Sequence, residues 1–278
     1  MTGANSGIGK ATALGLSKMG ATVVMVCRDR TRGEEALAEI KAASTNSSLD
    51  LMLSDLSSQA SIRRLAKDFQ EKYKQLHVLV NNAGVAPMKR SLTVDGLETT
   101  FAVNHLAPFL LTNLLLDVLK ASAPSRIVNV SSSAHMRSKM DFDDLQGQKN
   151  FGVFRAYSQS KLANVLFTYE LARKLEGTGV TVNAVHPGVV RTNLGRDSTG
   201  IVRLGFSVMQ PFLKTPEQGA ATSVYLASSP EVEGVTGKYF VNKKEVSSSK
   251  ESYGEAVARR LWEVSEQLTQ LVETNSTR

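Results

Sequence analysis

A tyrosine and a lysine four positions apart are the first residues in this sequence that could do chemistry. The stretch "YSQSK" places Tyr157 and Lys161 on one face of a predicted helix, because residues i and i+4 are neighbours on a helix surface. A lysine ammonium beside a phenol favours the phenolate and lowers the tyrosine pKa from its ordinary value near ~10. The pair therefore predicts a general acid or base that works closer to neutral pH. Taken alone, such a pair is common on helices.

Three further signals stand where predicted strands end. The stretch "NVSSS" provides Ser132, whose hydroxyl could position a carbonyl. The stretches "NNAG" (Asn81–Gly84) and "HPGVVRT" (His186–Thr192) place glycine turns after two other strands. Ligands of open α/β sheets bind beyond the carboxyl ends of the strands. These groups are therefore expected to meet at one site.

The first residues, "MTGANSGIGK", have the glycine spacing of a phosphate-binding loop. Gly3, Gly7 and Gly9 permit positive φ and let a diphosphate approach the backbone. A helix predicted to start near Gly7 would direct its free N–H groups at that diphosphate. The helix and strand that follow are the context that this mechanism needs.

The end of the next strand bears on the choice of cofactor. In NAD-type sites an acidic residue about 20 positions after the loop holds the ribose 2′-hydroxyl. Here "VCRDR" places Arg28 first, and an arginine can pair bidentately with a 2′-phosphate. Asp29 follows directly, so NAD(H) stays open as the less favoured alternative. The sequence therefore favours NADP(H).

Short β-branched runs alternate with helical patterns along the chain. Near-continuously apolar strands separated by helices predict a parallel sheet covered on both faces. The fold expected is α/β, a Rossmann-like doubly wound sheet in one domain over residues 1–278. The strands are expected at Ala21–Cys27, Leu49–Leu56, His77–Gly84, Arg126–Ser133, Val180–Gly188 and Gly237–Asn242. Helices are expected near 32–44, 58–73, 97–120, 157–175 and 253–272.

The first, central strand of such a sheet is missing from this N-terminus. In the strand order 3-2-1-4-5-6 strand 1 lies in the middle, so its neighbours would face a gap of about 9.6 Å. Unpaired apolar edges favour aggregation. We therefore expect the chain as written to be unstable and its native start to lie upstream, with roughly 6–8 further apolar strand residues.

Amino-acid composition limits the kinds of partner and the cellular location that are expected for this protein. The net charge is +7, but the basic residues are scattered, so a solvated surface is favoured over a nucleic-acid groove. One cysteine, Cys27, excludes an intramolecular disulfide and fits a reducing compartment. With no run of 18 apolar residues, no membrane span is expected in this chain. These features predict a cytoplasmic location, with membrane association through an upstream segment left open.

Several tempting residues are assigned no chemistry. His105, His135 and His186 are expected to be structural or at the surface. Asp143 and Asp144 lack further spaced ligands, so a solvated loop is favoured and no metal is expected. An apolar region at about 193–215 has the composition of a substrate loop, and an ordinary packed helix pair fits it equally well.

Taken together, the motifs resemble those of the short-chain dehydrogenase/reductase family. "TGANSGIG", "NNAG", the strand-end serine, "YSQSK" and "HPGVVRT" stand in the family's order and cover nearly the whole chain. A closer similarity is to the retinol dehydrogenase branch, through "CRDR", "FAVNHLAPFLLTNLLL" and "SKLANVLFTYELARKL".

The resemblance implies a role for each catalytic residue. Tyr157 would exchange the proton with the substrate oxygen, and Lys161 would lower its pKa and hold the nicotinamide ribose. Ser132, rather than Ser131 or Ser133, would position the substrate. Asn104, in "FAVNH", would hold a water of the proton relay.

It also implies the cofactor site and the reaction. Asp55 would meet the adenine. The cofactor residues implied are Gly3, Asn5, Ser6, Gly7, Ile8, Gly9, Arg28, Asp55, Leu56, Asn81, Ala83, Gly84, Tyr157, Lys161, Pro187, Gly188, Val190 and Thr192. Hydride would pass between NADP(H) and a small lipophilic alcohol, aldehyde or ketone, without a metal. The alternative is a truncated, catalytically impaired or non-catalytic cofactor-binding protein. A homo-oligomer is compatible with the resemblance, and nothing in the sequence selects its size.

Overall fold

Strands and helices alternate along residues 1–190 and 213–271, the part of the chain that the computed structural model describes. The strands are β1 (Val23–Cys27), β2 (Leu49–Leu53), β3 (Val78–Asn81), β4 (Ser125–Val130), β5 (Val180–His186), β6 (Lys238–Val241) and β7 (Lys244–Glu245). The α-helices are α1 (Gly7–Lys18), α2 (Arg30–Ser44), α3 (Gln59–Lys72), α4 (Thr99–Phe101), α5 (Ala107–Leu114), α6 (Leu116–Ala121), α7 (Val153–Lys174), α8 (Pro216–Ser228) and α9 (Glu255–Thr269).

The strands form two sheets, ordered β1-β2 and β3-β4-β5-β6-β7. All neighbouring pairs are parallel except β6 with β7. The expected α/β Rossmann-like fold with a mostly parallel sheet is confirmed. Whether residues 1–278 form a single domain stays a prediction.

Residues 1–3 lie between the two sheets. Met1 N donates to Val24 O (2.7 Å) and Val26 N donates to Met1 O (2.8 Å). Thr2 N donates to Val80 O (3.0 Å), on the opposite side. Among the described residues no strand fills the rest of the space between β1 and β3. Thr2 forms a parallel bridge with Val26, and Gly3 N donates to Val26 O (2.9 Å).

Helix α3 shows how local sequence produces the layers. Its apolar residues recur at helical spacing, and the side chains buried against the sheet are Ile62, Leu65, Ala66 and Phe69. The Ser58 side chain accepts from Ser61 N and caps the first turn. The apolar stripe therefore decides which face of α3 packs on the core, and the cap decides where the helix begins.

The helix expected over 97–120 is interrupted. A π-turn, Ala102–Leu106, separates α4 from α5, and Ala107 N donates to Ala102 O. Pro108 follows and has no N–H to continue an α-helical ladder, so the wider turn satisfies the geometry. The π-turn contains one residue more than an α-helical turn. The side chain of Asn104 therefore points in a different direction from the one it would have in the uninterrupted helix predicted from the sequence.

The C-terminal helix α9 lies within its expected range and packs on α7. The sole tryptophan, Trp262, is buried and meets the ring of Phe109 edge-on, with centroids 4.9 Å apart. Phe167 of α7 packs on both rings. This aromatic cluster attaches the end of the chain to the helical layer behind the sheet.

We expect Phe109→Ala to lower the free energy of unfolding by about 3–5 kcal/mol, because a fully buried ring is replaced by a cavity. Urea unfolding measures the loss, and the emission of Trp262 should shift to longer wavelength in the folded variant. The matched control, Phe154→Ala, removes a ring that is 85% exposed and should change stability by less than about 0.5 kcal/mol. Equal effects of the two substitutions would contradict this packing.

Candidate active site

The predicted site residues converge at the carboxyl ends of β3, β4 and β5. Register pairs Asn81 with Asn129 and Val130 with Val185, so the three strands finish side by side. Ser132 lies two residues after the end of β4. This edge of the sheet is where a doubly wound fold binds its ligands.

Ser132 stands close enough to Tyr157 to influence the ionisation of its phenol. Burial raises the pKa of the Tyr157 phenol above its ordinary value, and the nearby Ser132 side chain opposes that shift without cancelling it. Ser132 also accepts from Ala134 N (3.2 Å) at the start of a short 3₁₀ turn. The serine is therefore held by the backbone near the phenol.

The neighbouring serines have different surroundings. Ser131 is buried, and its hydroxyl donates to Lys161 O (2.7 Å). Ser133 is exposed at the surface. Of the three, Ser132 is the one that influences the Tyr157 phenol, and its role as the substrate-positioning serine stays a prediction.

Lys161 is a buried cation. Its Nζ donates to Val130 O (3.1 Å) and lies 5.6 Å from the centroid of the Tyr157 ring. Burial lowers the pKa of the Lys161 ammonium to about 8. The expected lowering of the tyrosine pKa by this lysine is absent here, because the ammonium bonds to a carbonyl rather than to the phenol and burial dominates.

Asn104 joins two elements of the site. Its Oδ1 accepts from Val85 N (2.7 Å), and its Nδ2 donates to Val85 O (3.0 Å) and Ser160 Oγ (3.0 Å). Ser160 in turn donates to Tyr157 O (2.7 Å). The π-turn thus clamps the loop after β3 to the helix that carries Tyr157, a contact distinct from the water-holding role that the resemblance implies.

Sequence reasoning missed Ser160. The residue lies inside "YSQSK", directly before Lys161, and is completely buried. A small hydroxyl residue between two catalytic positions was the available signal. Its bridging role depends on Asn104, which is distant in sequence, so spacing alone did not reveal it.

The glycine loop is packed too closely for side chains. A Cβ on Gly9 would lie 2.0 Å from the Gly3 carbonyl oxygen, and Gly3 itself has φ +65°. Ser6 precedes α1 without a side-chain cap bond, so first-turn N–H groups of α1 remain for an anion. Asn5 and Ile8 are partly buried in the same loop and first turn. This backbone cradle fits the diphosphate of a dinucleotide.

Thr2 ties that loop to the "NNAG" turn. Its Oγ1 accepts from Asn82 N (3.0 Å) and Ala83 N (3.1 Å), and Asn82 Nδ2 donates to Thr2 O (2.9 Å). Gly84 lies close to two of the predicted catalytic residues. A Cβ added at Gly84 would lie 3.4 Å from both Asn104 Oδ1 and Lys161 Nζ. The two predicted cofactor segments are therefore one connected surface.

Arg28 and Asp29 follow β1, the strand to which the glycine loop is bonded at Val26. Arg28 is exposed directly after β1. The Asp29 side chain accepts from Arg32 N (2.9 Å) and caps α2. Asp55 Oδ1 accepts from the Ser57 N–H and hydroxyl, which orders the loop after β2. The first basic group after β1 is therefore open to a ligand, whereas the first acidic group is engaged by a helix.

The segment after β5 is described in part. Pro187 and Gly188 follow His186, and Gly188 has φ +92°, a conformation that glycine adopts without strain. Val190 forms a parallel bridge with Lys214. Thr192 and nearly all of the expected substrate loop at about 193–215 lie outside the described residues.

The histidines and the acidic pair have structural contacts. His135 is buried, and its Nε2 accepts from Ser249 N (3.1 Å). Burial lowers the pKa of His105 to about 3 and, together with Lys214, that of His186 to about 4. Asp144 accepts from three backbone N–H groups in its own loop. Within residues 1–190 and 213–271 no group of three metal-ligating side chains is found.

The sequence resembles curated proteins along its length. A family model described as short chain dehydrogenase matches residues 1–200. Retinol dehydrogenase 14 of Homo sapiens is 48% identical over 288 residues, 98% of this chain and 86% of that protein. Retinol dehydrogenase 12 of Bos taurus is 51% identical over 265 residues, 95% of this chain and 84% of that protein.

Solved structures show the same fold. An uncharacterized protein from Mycobacterium Paratuberculosis superposes with a TM-score of 0.78 at 34% identity, covering 97% of this chain and 91% of that chain. The Pseudomonas aeruginosa RhlG/NADP active-site complex gives a TM-score of 0.69 at 29% identity, covering 86% of this chain and 91% of that chain.

The prediction of a cytoplasmic location is wrong. The relatives matched along 95% or more of the chain are retinol dehydrogenases 11 to 14, and these names do not match a cytoplasmic protein. A low cysteine content reports on redox conditions and not on attachment to a membrane. In the part of the chain that the structure describes, no helix combines the length and apolarity needed to cross a membrane.

Sequence and structure comparisons agree with the motifs at the strand ends. The chain belongs to the short chain dehydrogenase family, within which its sequence is retinol dehydrogenase-like.

Proposed function

We propose that this chain is an NADP(H)-dependent oxidoreductase that interconverts a lipophilic alcohol and its aldehyde or ketone, with Tyr157 as the general acid and base. One observation carries the proposal. The Tyr157 side chain is near Ser132, and its ring centroid is 5.6 Å from the buried Nζ of Lys161, at the carboxyl ends of the strands. A phenol, a hydroxyl and a cation in that arrangement suit proton exchange at a substrate oxygen.

Each side chain has a distinct task in the proposed reaction. The substrate oxygen would accept a hydrogen bond from Ser132 and exchange its proton with the Tyr157 hydroxyl. Lys161, held at Val130 O, would hold the nicotinamide ribose. A bound nicotinamide supplies or receives the hydride at the substrate carbon. The Asn104–Ser160 clamp keeps the helix of Tyr157 against the loop after β3.

Support for NADP(H) comes from the residues that follow β1. Arg28 is available for a 2′-phosphate, whereas the Asp29 carboxylate is used by the N-terminus of α2. One oxygen of that carboxylate, Oδ1, already accepts from Arg32 N, which favours Arg28 as the group that contacts the ribose substituent. The RhlG/NADP complex is a structural relative that carries the phosphorylated cofactor.

A lipophilic substrate is supported by the relatives, since retinol dehydrogenases are named for an apolar alcohol. The alternative, a truncated or non-catalytic cofactor-binding protein, is disfavoured because Asn104, Ser132, Tyr157 and Lys161 are all present and connected. NADPH binding without turnover of any carbonyl would favour it.

Tyr157→Phe tests the proposed chemistry directly. We expect NADPH oxidation with retinal or a medium-chain aldehyde to fall by about 10²–10⁴-fold, the usual contribution of a positioned acid or base, while NADPH binding persists. Tyr253→Phe, which removes a hydroxyl from a half-exposed ring, is the control and should retain full activity. Similar rates for both variants would exclude Tyr157 as the proton donor.

Arg28→Ala tests the cofactor preference. Loss of a charge-assisted bond to the 2′-phosphate should raise the KM for NADPH about tenfold or more, with little change for NADH. Arg30→Ala is the matched control, because Arg30 is exposed in the same segment and pairs with Glu34 instead. An equal rise for both cofactors would show that Arg28 does not contact the 2′-phosphate.

Lys161→Met tests the buried cation through stability. Its pKa is lowered by burial from 10.5 to about 8, so the unfolded chain holds the proton more tightly between those values and stability rises with pH there. Below pH 8 the parent bears the full cost of burying a charged lysine, on the order of 3 kcal/mol. The methionine variant avoids this cost but also loses the hydrogen bond to Val130 O, so its gain in stability is smaller. We therefore expect the inactive variant to be about 1–3 kcal/mol more stable than the parent at pH 7 without cofactor.

The advantage of Lys161→Met should shrink as the pH approaches 10, which denaturant unfolding across pH 7–10 would measure. Lys67→Met, at an exposed position of α3, should leave stability unchanged at every pH. A difference between parent and Lys161→Met that does not vary with pH would contradict a lowered lysine pKa.

A further inference from the structure

His135 is the buried residue of the 3₁₀ turn Ser133–Arg137, which begins directly after Ser132. The imidazole ring meets the ring of Tyr239, on β6, edge-on with centroids 4.8 Å apart. The other residues of the turn are exposed or half-buried. The turn is therefore attached to the interior of the protein mainly through this one side chain.

Two hydrogen bonds determine which nitrogen of this imidazole carries the proton. The backbone N–H of Ser249 can only donate, so His135 Nε2 accepts from it (3.1 Å) and has no proton. Burial lowers the pKa of His135 below its ordinary value, although the bond to the Ser132 carbonyl opposes that shift, so the ring is neutral at pH 7. A neutral imidazole has one N–H, and here it is at Nδ1, where it donates to Ser132 O (2.6 Å).

Ser132 is held at two of its atoms. Its carbonyl oxygen accepts from His135 Nδ1 and from His135 N (3.2 Å), and its Oγ accepts from Ala134 N (3.2 Å). A 3₁₀ turn has poorer hydrogen-bond geometry than an α-helix, so a side-chain bond to its first carbonyl adds to its rigidity. Because rotation of the Ser132 backbone would move Oγ with it, the imidazole restricts where this hydroxyl can lie.

The donor on the other side of the imidazole is fixed as well. Ser249 O accepts from Ser252 N (3.0 Å) and from Ser252 Oγ (2.6 Å). Ser248 Oγ bonds to Ser252 Oγ (2.7 Å) and to the hydroxyl of Tyr169 (2.6 Å), which is on α7. All three serines are buried. These bonds connect the imidazole to the same helix that carries the proposed proton donor.

We propose that His135 is a positioning residue, whose Nδ1–H tautomer, selected by the Ser249 N–H, sets the position of the Ser132 hydroxyl relative to Tyr157. The imidazole acts through Ser132 and exchanges no proton with the substrate. This role rests on the proposed function, because the position of Ser132 affects turnover only if its hydroxyl binds the substrate oxygen. A misplacement of about 1 Å near reacting groups can cost up to 10²-fold in rate, so a small shift of Ser132 is enough to be measured.

Nuclear magnetic resonance tests the tautomer without any need for activity. In the full chain with ¹⁵N-labelled histidine, long-range ¹H–¹⁵N spectra at pH 7 should show a protonated Nδ1 and an unprotonated Nε2 for His135. The signals are assigned by their loss in His135→Gln. A proton on Nε2, in either ring form, would overturn the proposal while leaving an active parent, and so the proposed function, intact. A parent that oxidises NADPH with no carbonyl would refute the proposed function and this role together.

Two substitutions each keep one of the two bonds. The amide of His135→Asn can donate from the place of Nδ1, and the amide of His135→Gln can accept at the place of Nε2. We expect His135→Asn to keep kcat within about threefold of the parent and His135→Gln to lower it about tenfold or more, with the KM for NADPH unchanged. Each variant loses one bond, so both should lower the Tm to a similar extent.

A histidine that only stabilises the fold would affect kcat equally in the two variants, and equal kcat values would overturn the proposal. The matched control is His77→Asn, at an exposed position directly before β3, which should keep the kcat and Tm of the parent.

A double-substitution cycle tests whether the effect passes through Ser132. In a Ser132→Ala background there is no hydroxyl to position, so His135→Gln should lower the remaining kcat by less than about twofold. Independent losses that multiply in the double variant would show that His135 acts elsewhere, and they would overturn the proposal.

Discussion

The hydrogen bonds of Thr2 are the constraint on which the remaining structure depends. Its N–H pairs with β3, its bridge partner is in β1, and its hydroxyl accepts two N–H groups from the turn after β3. Thr2 therefore joins the two sheets together with Met1 and Gly3, which bond to β1, and it holds the glycine loop against the turn after β3. Buried backbone groups need partners, so displacement of Thr2 would leave several of them unsatisfied at once. The glycine loop and the strands on both sides of it are therefore held together by one set of hydrogen bonds.

A chain of polar contacts connects Thr2 to the helix that carries Tyr157, in addition to the packing of the apolar core. The turn after β3 leads to Val85, which the Asn104 amide holds, and Asn104 reaches the catalytic helix through Ser160. Beneath this clamp, Lys161 is kept in place by a carbonyl at the end of β4. The glycine loop, the turn after β3 and the helix that carries the proposed proton donor Tyr157 are connected by short, directional bonds. Such bonds hold catalytic groups to a fraction of an ångström, which packing of apolar side chains does less well.

Much of this was open to prediction from the sequence, for a physical reason. Strands β1 to β6 are short apolar runs, and groups such as Ser132 and Gly84 stand at their ends, where parallel topology must bring them together. The π-turn at Asn104 was not predicted, because it depends on the backbone bonds around Pro108 rather than on hydrophobic period. The lowered pKa of Lys161 was likewise hidden, since burial is a tertiary property. The prediction of a cytoplasmic location was wrong because amino-acid composition indicates the redox conditions around a protein and not whether the protein is attached to a membrane.

The cap formed by Asp29 has a consequence for the evolution and redesign of cofactor use. One carboxylate starts α2 through its Oδ1, and it stands directly after Arg28, the residue on which the proposed cofactor preference rests. Replacing Asp29 would forfeit a cap worth about 1 kcal/mol. Under the proposed function, a substitution at this position would therefore act on helix stability and on cofactor binding at once. A redesign of cofactor preference that replaces Asp29 would have to bring a substitute cap with it, so the two traits are expected to change together.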